Sequence, residues 1–264
     1  MSKDSFQQLA EISKAEQLTP DIYRLSLLAP EIAAVARPGQ FVMLRPGGLL
    51  DPLLRRPLSI HQVTAGGLVQ VLFKVIGKGT ALLAELKPGR SIDLVGPLGR
   101  GFPLQSQGRV CLVGGGMGIA PLFFLAREFQ RRLPPEQITL LLGARTADEL
   151  RQLADEFRLL GLDPQLATDD GSLGHHGRVP ELFDSCLSGE GWRIYCCGPQ
   201  PMMRAVADHC RERQWECLVS LETMMACGIS ACLGCAVASA SGEPPYLHVC
   251  KDGPVFKATE ITWR

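Results

Sequence analysis

Val69, Val71, Phe73 and Val75 alternate with Gln70, Leu72 and Lys74, the period of two that turns successive side chains to opposite faces of a β-strand. Residues 23–28 and 40–45 are shorter versions of the same pattern. Turn dipeptides recur at Pro38-Gly39, Pro46-Gly47, Pro88-Gly89 and Gly96-Pro97. Short strands punctuated in this way predict a small antiparallel β-barrel over residues 1–105.

The period then changes. An apolar strand at 109–113 runs into Gly114-Gly115-Gly116-Met117-Gly118, and Leu122, Leu125, Ala126 and Phe129 follow at helical spacing. Residues 138–142 form another apolar strand. Thr146-x-x-Glu149 is a capping box that opens a helix with Leu150, Leu153, Ala154 and Phe157 inward. Further strands are expected at 165–168, 192–196 and 217–221, with Met203, Val206, Ala207 and Cys210 marking a helix between the last two. Strands alternating with helices predict a Rossmann-like parallel α/β domain over 106–222. From 223 the periodicity stops and a cysteine-rich module runs to 264.

Composition narrows the function classes. Hydrophobic residues make up 46% of the 264 positions and charged residues 20%, which supports a large core and excludes disorder as the main state. Lys plus Arg (27) equals Asp plus Glu (27), so no global charge directs the chain to nucleic acid or an anionic membrane. The uncharged stretches 110–126 and 223–242 are broken by Gly, Pro, Ser and Cys and do not suit lipid. Lys3, Asp4, Glu11, Lys14 and Glu16 occupy a start with no apolar stretch, so a secretory leader is not expected and a cytoplasmic location is. The ten cysteines are then expected to stay reduced, and a tight cluster of them points to metal or redox chemistry.

Such a cluster exists. Cys227, Cys232 and Cys235 have the spacing C-x4-C-x2-C, with Cys250 fourteen residues on, which is the plant-type ferredoxin pattern for a [2Fe–2S] centre. Gly228, Ser230, Ala231 and Gly234 are small enough for backbone N–H groups to turn in toward sulfur. A structural zinc site or four unrelated thiols are the alternatives. Cys111, Cys186, Cys210 and Cys217 fall on core faces and read as packing.

Three more motifs suit nucleotides. In Arg55-Arg56-Pro57-Leu58-Ser59-Ile60 a guanidinium and a hydroxyl three residues apart can hold a pyrophosphate and a flavin edge. Gly77-Lys78-Gly79-Thr80 either frees backbone N–H groups for phosphate, with Thr80 placed to cap the next helix, or is an ordinary hairpin loop. Gly114, Gly115, Gly116 and Gly118 form a strand-to-helix turn that lets a dinucleotide approach the backbone, although Ile119 stands where the last glycine of G-x-G-x-x-G would fall; a tight turn with no ligand is the alternative. Cys197-Gly198-Pro199 closes another strand, so Cys197 is either a thiol beside a nicotinamide or a buried small hydrophobe. Asp169 and Asp170 either line the same cleft or make a solvated turn. His175 and His176 lack a nearby carboxylate in sequence and read as surface.

The order R-P-L-S, G-K-G-T, G-G-G-M-G-I-A-P, C-G-P resembles the ferredoxin–NADP reductase superfamily. The tail Met225-Ala-Cys-Gly-Ile-Ser-Ala-Cys-Leu-Gly-Cys235, with His248-Val-Cys-Lys-Asp-Gly-Pro-Val-Phe256, is similar to the electron-transfer subunits of class B dihydroorotate dehydrogenases. That resemblance implies FAD in the barrel, NAD at the α/β domain and a [2Fe–2S] cluster toward an FMN-containing catalytic partner, in a heterotetramer of two chains of each kind. It places Arg56, Pro57, Leu58, Ser59, Gly79 and Thr80 on FAD, with backbone contacts from Phe73, Lys74 and Val75, and makes Cys227, Cys232, Cys235 and Cys250 the cluster ligands. It assigns this chain no general acid or base, because oxidation of dihydroorotate belongs to the partner. The alternative is a diaphorase-like subunit of a hydrogenase, a sulfide dehydrogenase or a bifurcating NAD(P)H:ferredoxin complex. The related bifurcating small subunits have a carboxylate among their cluster ligands, against which four cysteines argue.

Overall fold

The computed structural model describes residues 5–47, 51–105 and 107–263; Lys3, Asp4, position 106 and position 264 lie outside them. Six antiparallel strands close a barrel in the order β1-β2-β5-β4-β3-β6. They are β1 (Phe6–Gln17), β2 (Ile22–Leu28), β3 (Phe41–Leu44), β4 (Arg56–Val63), β5 (Leu68–Lys74) and β6 (Ser91–Leu98). Val69, Val71 and Phe73 of β5 point inward, as the alternation required, and meet Leu25, Leu27, Ile60 and Leu94 in the barrel core. Two short helices, α1 (Pro30–Val35) and α2 (Lys78–Ala84), plug its ends with Ile32 and Leu83.

The second sheet holds β7 (Arg109–Gly115), β8 (Ile138–Ala144), β9 (Gln165–Thr168), β10 (His175–His176), β11 (Trp192–Cys197) and β12 (Glu216–Ser220). These are parallel neighbours in the order β10-β9-β8-β7-β11-β12. Helices α3 (Ile119–Gln130), α4 (Ala147–Leu159), α5 (Phe183–Cys186) and α6 (Gln200–Glu212) connect them. Thr146 caps α4 by accepting the Glu149 N–H, but the expected reciprocal half is absent. The Glu149 carboxylate turns instead to Lys74 of β5, 2.7 Å away, and to Arg145 at 2.8 Å. Two cations hold a carboxylate better than one neutral N–H does. One α4 face thereby engages the barrel twice, since Glu156, two turns on, pairs with Arg24 of β2. No helix among the described residues is long and apolar enough to cross a membrane.

The tail forms a hairpin of β13 (Ala236–Ala238) and β14 (Tyr246–His248), and then returns to the large sheet. There β15 (Val255–Lys257) adds an antiparallel edge to β12. Gly99 packs on Pro254, and the Arg100 N–H donates to the Gly253 carbonyl. The module thus sits at the seam between barrel and sheet.

Candidate functional site

Strand β7 and strand β11 are parallel neighbours with Gly114 opposite Cys197, so both motifs end at the same carboxyl edge. Open α/β sheets bind ligands at that edge. The two loops interlock without side chains: a Cβ on Gly118 would lie 2.3 Å from the Cys197 carbonyl oxygen, and one on Gly115 would lie 2.4 Å from Met202 Sδ. Gly116 differs, with φ 53° and nothing within 4 Å of where its Cβ would be. It faces two cavities that meet at this turn. The first, about 430 Å³, is walled by Lys74, Arg145, Asp169, Arg178 and Met202, and the second, about 440 Å³, by Gly198, Glu222, Thr223, Ile261 and Trp263.

Asp169 lines the first cavity, whereas Asp170 makes the turn, accepting the Ser172 N–H at 3.0 Å and its hydroxyl at 2.6 Å. Cys197 is 2% exposed, and burial raises its pKa well above the ordinary thiol range, so at neutral pH it is a neutral thiol among core side chains. Gly198 and Pro199, not Cys197, border the cavities. Cys111, Cys210 and Cys217 are buried and Cys186 is half-buried. His175 has the carboxylate that its sequence neighbours lack, because Glu181 Oε2 lies 2.8 Å from its Nε2. His176 is exposed.

The flavin-side motif occupies the start of β4, with Arg56, Pro57, Leu58 and Ser59 opposite Leu44, Met43, Val42 and Phe41 of β3. The Arg56 guanidinium, anchored to the Leu54 carbonyl at 2.7 Å, lies over Gly79, where a Cβ would come within 2.3 Å of Nε. A glycine is needed there for the cation to reach the start of α2. Gly77 takes the cap position, and Thr80 is the third helical residue, so Thr80 does not cap the helix as expected. Its hydroxyl reaches back to accept the Ile76 and Gly77 N–H groups at 3.0 and 3.2 Å. The N–H groups of Lys78, Gly79 and Thr80 have no intrahelical acceptor. On β5, Phe73 is buried and stacks on Tyr23. Lys74 lines the first cavity with its ammonium paired to Glu149 at 2.7 Å and Asp21 at 3.0 Å, and the Val75 N–H is taken by the Asp21 carbonyl at 2.7 Å.

The cysteine loop is built around sulfur. Hairpin β13–β14 begins right after Cys235 and ends two residues before Cys250, and the Val249 N–H donates to the Cys235 carbonyl at 2.9 Å. N–H groups of Ser230, Cys232, Gly234 and Cys250 donate to the sulfurs of Cys250, Cys227, Cys232 and Cys235, at 3.2, 3.4, 3.5 and 3.4 Å. Burial opposes ionisation of Cys227, but the N–H groups of Cys232 and Ile229 outweigh it and bring the thiol down to about 7. Cys250, more enclosed and beside Cys235, is pushed up to about 12. Gly228 rests against Met43 of β3 and Leu98 of β6, so this loop touches the barrel directly.

The donor types present fit all three groups that the motifs imply. Four thiols, each accepting an N–H, supply the donor set of an iron–sulfur centre, although among the described residues no three of them converge on a single ion; Arg56 over a bare Gly79 suits a pyrophosphate, and open Gly116 suits a dinucleotide. Glu222 and Thr223 carry no motif and were not anticipated. The Thr223 hydroxyl is buried with no partner, and Glu222 opens onto the second cavity while surrounding protein raises its carboxyl pKa.

Comparisons with known proteins agree with this geometry. A family model described as the iron–sulfur cluster binding domain of dihydroorotate dehydrogenase B matches residues 222–262, and an oxidoreductase NAD-binding domain matches 112–208. The dihydroorotate dehydrogenase B (NAD(+)) electron transfer subunit of Desulforamulus reducens is 42% identical over 262 residues, covering 96% of this chain and 97% of that one. Its counterpart in Geobacillus kaustophilus is 40% identical over 243 residues, covering 90% and 92%. The solved structure of an NADH-dependent reduced ferredoxin–NADP oxidoreductase superposes with a TM-score of 0.86 at 33% identity, over 97% of this chain and 90% of that one. A ferredoxin–NADP+ reductase from Neisseria gonorrhoeae shares the fold, with a TM-score of 0.64 at 19% identity over 80% and 92%. Barrel, parallel sheet and cysteine module together define a flavin- and nicotinamide-linked reductase of the ferredoxin–NADP reductase type, extended by an iron–sulfur module. Within that class, the chain belongs to the family of dihydroorotate dehydrogenase B (NAD(+)) electron transfer subunits.

Proposed function

We propose that this chain carries electrons from the FMN of a dihydroorotate dehydrogenase catalytic subunit to NAD+, in the branch of metabolism that makes pyrimidines. The observation that carries the reading is the contact of the four-cysteine loop with barrel strands β3 and β6 through Gly228. When bound, a [2Fe–2S] cluster would supply single-electron transfer, and FAD would gather two electrons and a proton and pass them to NAD+ as a hydride. Cys227, Cys232, Cys235 and Cys250 would ligate the cluster, and the N–H groups aimed at their sulfurs would stabilise the added charge. Arg56 and the free N–H groups of Gly79 and Thr80 would hold the FAD pyrophosphate, with Pro57, Leu58, Ser59, Phe73, Lys74 and Val75 along the flavin. Gly114, Gly115, Gly116 and Gly118, with Cys197, Gly198 and Pro199, would form the bed for NAD. Cys197 would act there through its backbone, since its thiol is buried and neutral.

Dihydroorotate itself would be oxidised by the partner, in a complex of two chains of each kind, in the cytoplasm. Membership of a bifurcating complex, to which the 0.86 superposition speaks, is the second reading. Four cysteine ligands and the higher identity to the dihydroorotate dehydrogenase B subunits favour the first. The test is anaerobic co-expression with a dihydroorotate dehydrogenase catalytic subunit, followed by iron, sulfide and flavin analysis. Iron, sulfide and FAD at about 2:2:1 per chain, with NAD+ reduced by dihydroorotate, supports the assignment. Cofactors without dihydroorotate activity would move the chain to a bifurcating or diaphorase complex.

A further inference from the structure

A single buried side chain ties the flavin-side strand to the helix that follows the nucleotide turn. His61 lies on β4 two residues past Ser59, is 2% exposed, and stacks on Phe123 with ring centroids 4.8 Å apart. Its Nδ1 is 2.8 Å from the carbonyl oxygen of Ala120, in the first turn of α3 and two residues past Gly118. Its Nε2 is 3.0 Å from Glu156 Oε2 on α4, and the other oxygen of that carboxylate pairs with Arg24 of β2. A backbone carbonyl only accepts, so the Nδ1 donor is required whatever the charge of the ring. The same strand and helix are tied a second time: Arg127 donates to Gln62 Oε1 at 3.0 Å and to the Val63 carbonyl at 2.7 Å. That tie is seven residues along α3 from Ala120, about 10 Å away, and far from the glycine turn.

Resting on the cofactor assignment above, we propose that His61 is a positioning residue for hydride transfer: its Nδ1 bond to Ala120 fixes the 114–118 turn relative to residues 56–59 of β4. Hydride transfer needs donor and acceptor atoms about 3–3.5 Å apart, and a displacement of about 1 Å costs on the order of 100-fold in rate. Nothing else on β4 reaches the first turn of α3 by a hydrogen bond among the described residues. The geometry also separates positioning from simple attachment, because the Arg127 tie joins the same two elements without touching that turn.

The experiment uses the complex with its catalytic subunit and compares His61→Ala, His61→Asn, His61→Gln and Arg127→Ala. An Asn amide nitrogen falls where Nδ1 was, whereas a Gln amide reaches the Nε2 position toward Glu156. Two readouts are taken, the rate at which NADH bleaches the flavin in stopped flow and hydrogen–deuterium exchange across residues 114–120, with the dissociation constant for NAD+ measured as a control. His61→Ala and His61→Gln are expected to slow bleaching on the order of 10- to 100-fold, with the dissociation constant for NAD+ changed less than about threefold and faster exchange in the turn. His61→Asn should recover most of both, and Arg127→Ala should leave both near wild type. Equal slowing in Asn and Gln, no slowing in any His61 variant, or slowing as large in Arg127→Ala would overturn the positioning role. Should His61→Ala lose flavin, the Asn–Gln pair still decides. A wild-type complex whose flavin NADH does not bleach would instead sink the cofactor assignment.

Discussion

The turn at 114–118 contains four glycines, yet only Gly116 is left-handed, at φ 53°, whereas the cysteine loop places Gly228, Ser230 and Leu233 there at φ 72°, 62° and 58°. In the turn, glycine serves packing: Gly118 meets the backbone of Cys197 at the end of β11, and Gly115 meets the Met202 side chain in the first turn of α6. In the loop, two ordinary side chains sit in a backbone region that costs about 1–2 kcal/mol each. The visible compensation is a set of N–H groups directed at sulfur. Neutral thiols are weak acceptors, and thiolates on iron are stronger ones. On the proposed assignment the nucleotide bed would therefore be preformed by the fold, and the cysteine loop would be completed by its metal.

Cys232→Ser should break that symmetry most widely. Cys232 is exposed, and its sulfur accepts the Gly234 N–H. Loss of visible iron–sulfur absorption and of more than half the iron is expected, with faster hydrogen exchange across 225–235 and none across 114–118. Exchange that rises equally in both loops would show that the turn, too, depends on the cluster. Gly118→Ala is the mirror experiment. Its Cβ would meet the Cys197 carbonyl at 2.3 Å, a backbone contact with no flexible end to move. A stability loss of about 1–3 kcal/mol and weakened NAD binding are expected, with iron content unchanged.

A smaller effect is expected on the flavin side, where the site is also preformed. Arg56→Ala removes the guanidinium and Gly79→Ala displaces it, so both should lower FAD retained through gel filtration, the first more than the second. Unchanged flavin content in Arg56→Ala would remove Arg56 from the phosphate site.

This contrast also explains what could be read from sequence. Glycine runs and the Thr146 cap are local devices, and the strand-to-helix turn and the cap appear where their patterns placed them. Strand β1 escaped notice because only Ala10 and Ile12 are fully inward, while Leu9 faces out at 76% exposure and a bulge breaks the alternation after Ile12. Three-residue β15 exists only through its pairing with β12. Glu222, Thr223 and His61 have no periodic or motif signal; their roles arise where three distant segments meet. The Glu149 half of the capping box was overridden by Lys74, 75 residues away in sequence.

The smallest expected effect tests the account of the loop most directly. Leu233 is 56% exposed, so its side chain contributes little packing, and its φ of 58° is the main structural demand at that position. Leu233→Gly removes the steric cost of the left-handed backbone, about 1–2 kcal/mol, but adds freedom to the unfolded chain worth about 0.4–1 kcal/mol. The first matches or outweighs the second, leaving a net gain of about 0–1.6 kcal/mol. Thermal unfolding of the metal-free chain should therefore shift up by no more than about 6 °C, with iron content and absorption of the loaded protein unchanged. A loss of iron in Leu233→Gly would mean that the Leu233 side chain itself shields the cluster, and that packing as well as the N–H groups directed at sulfur holds the left-handed backbone there.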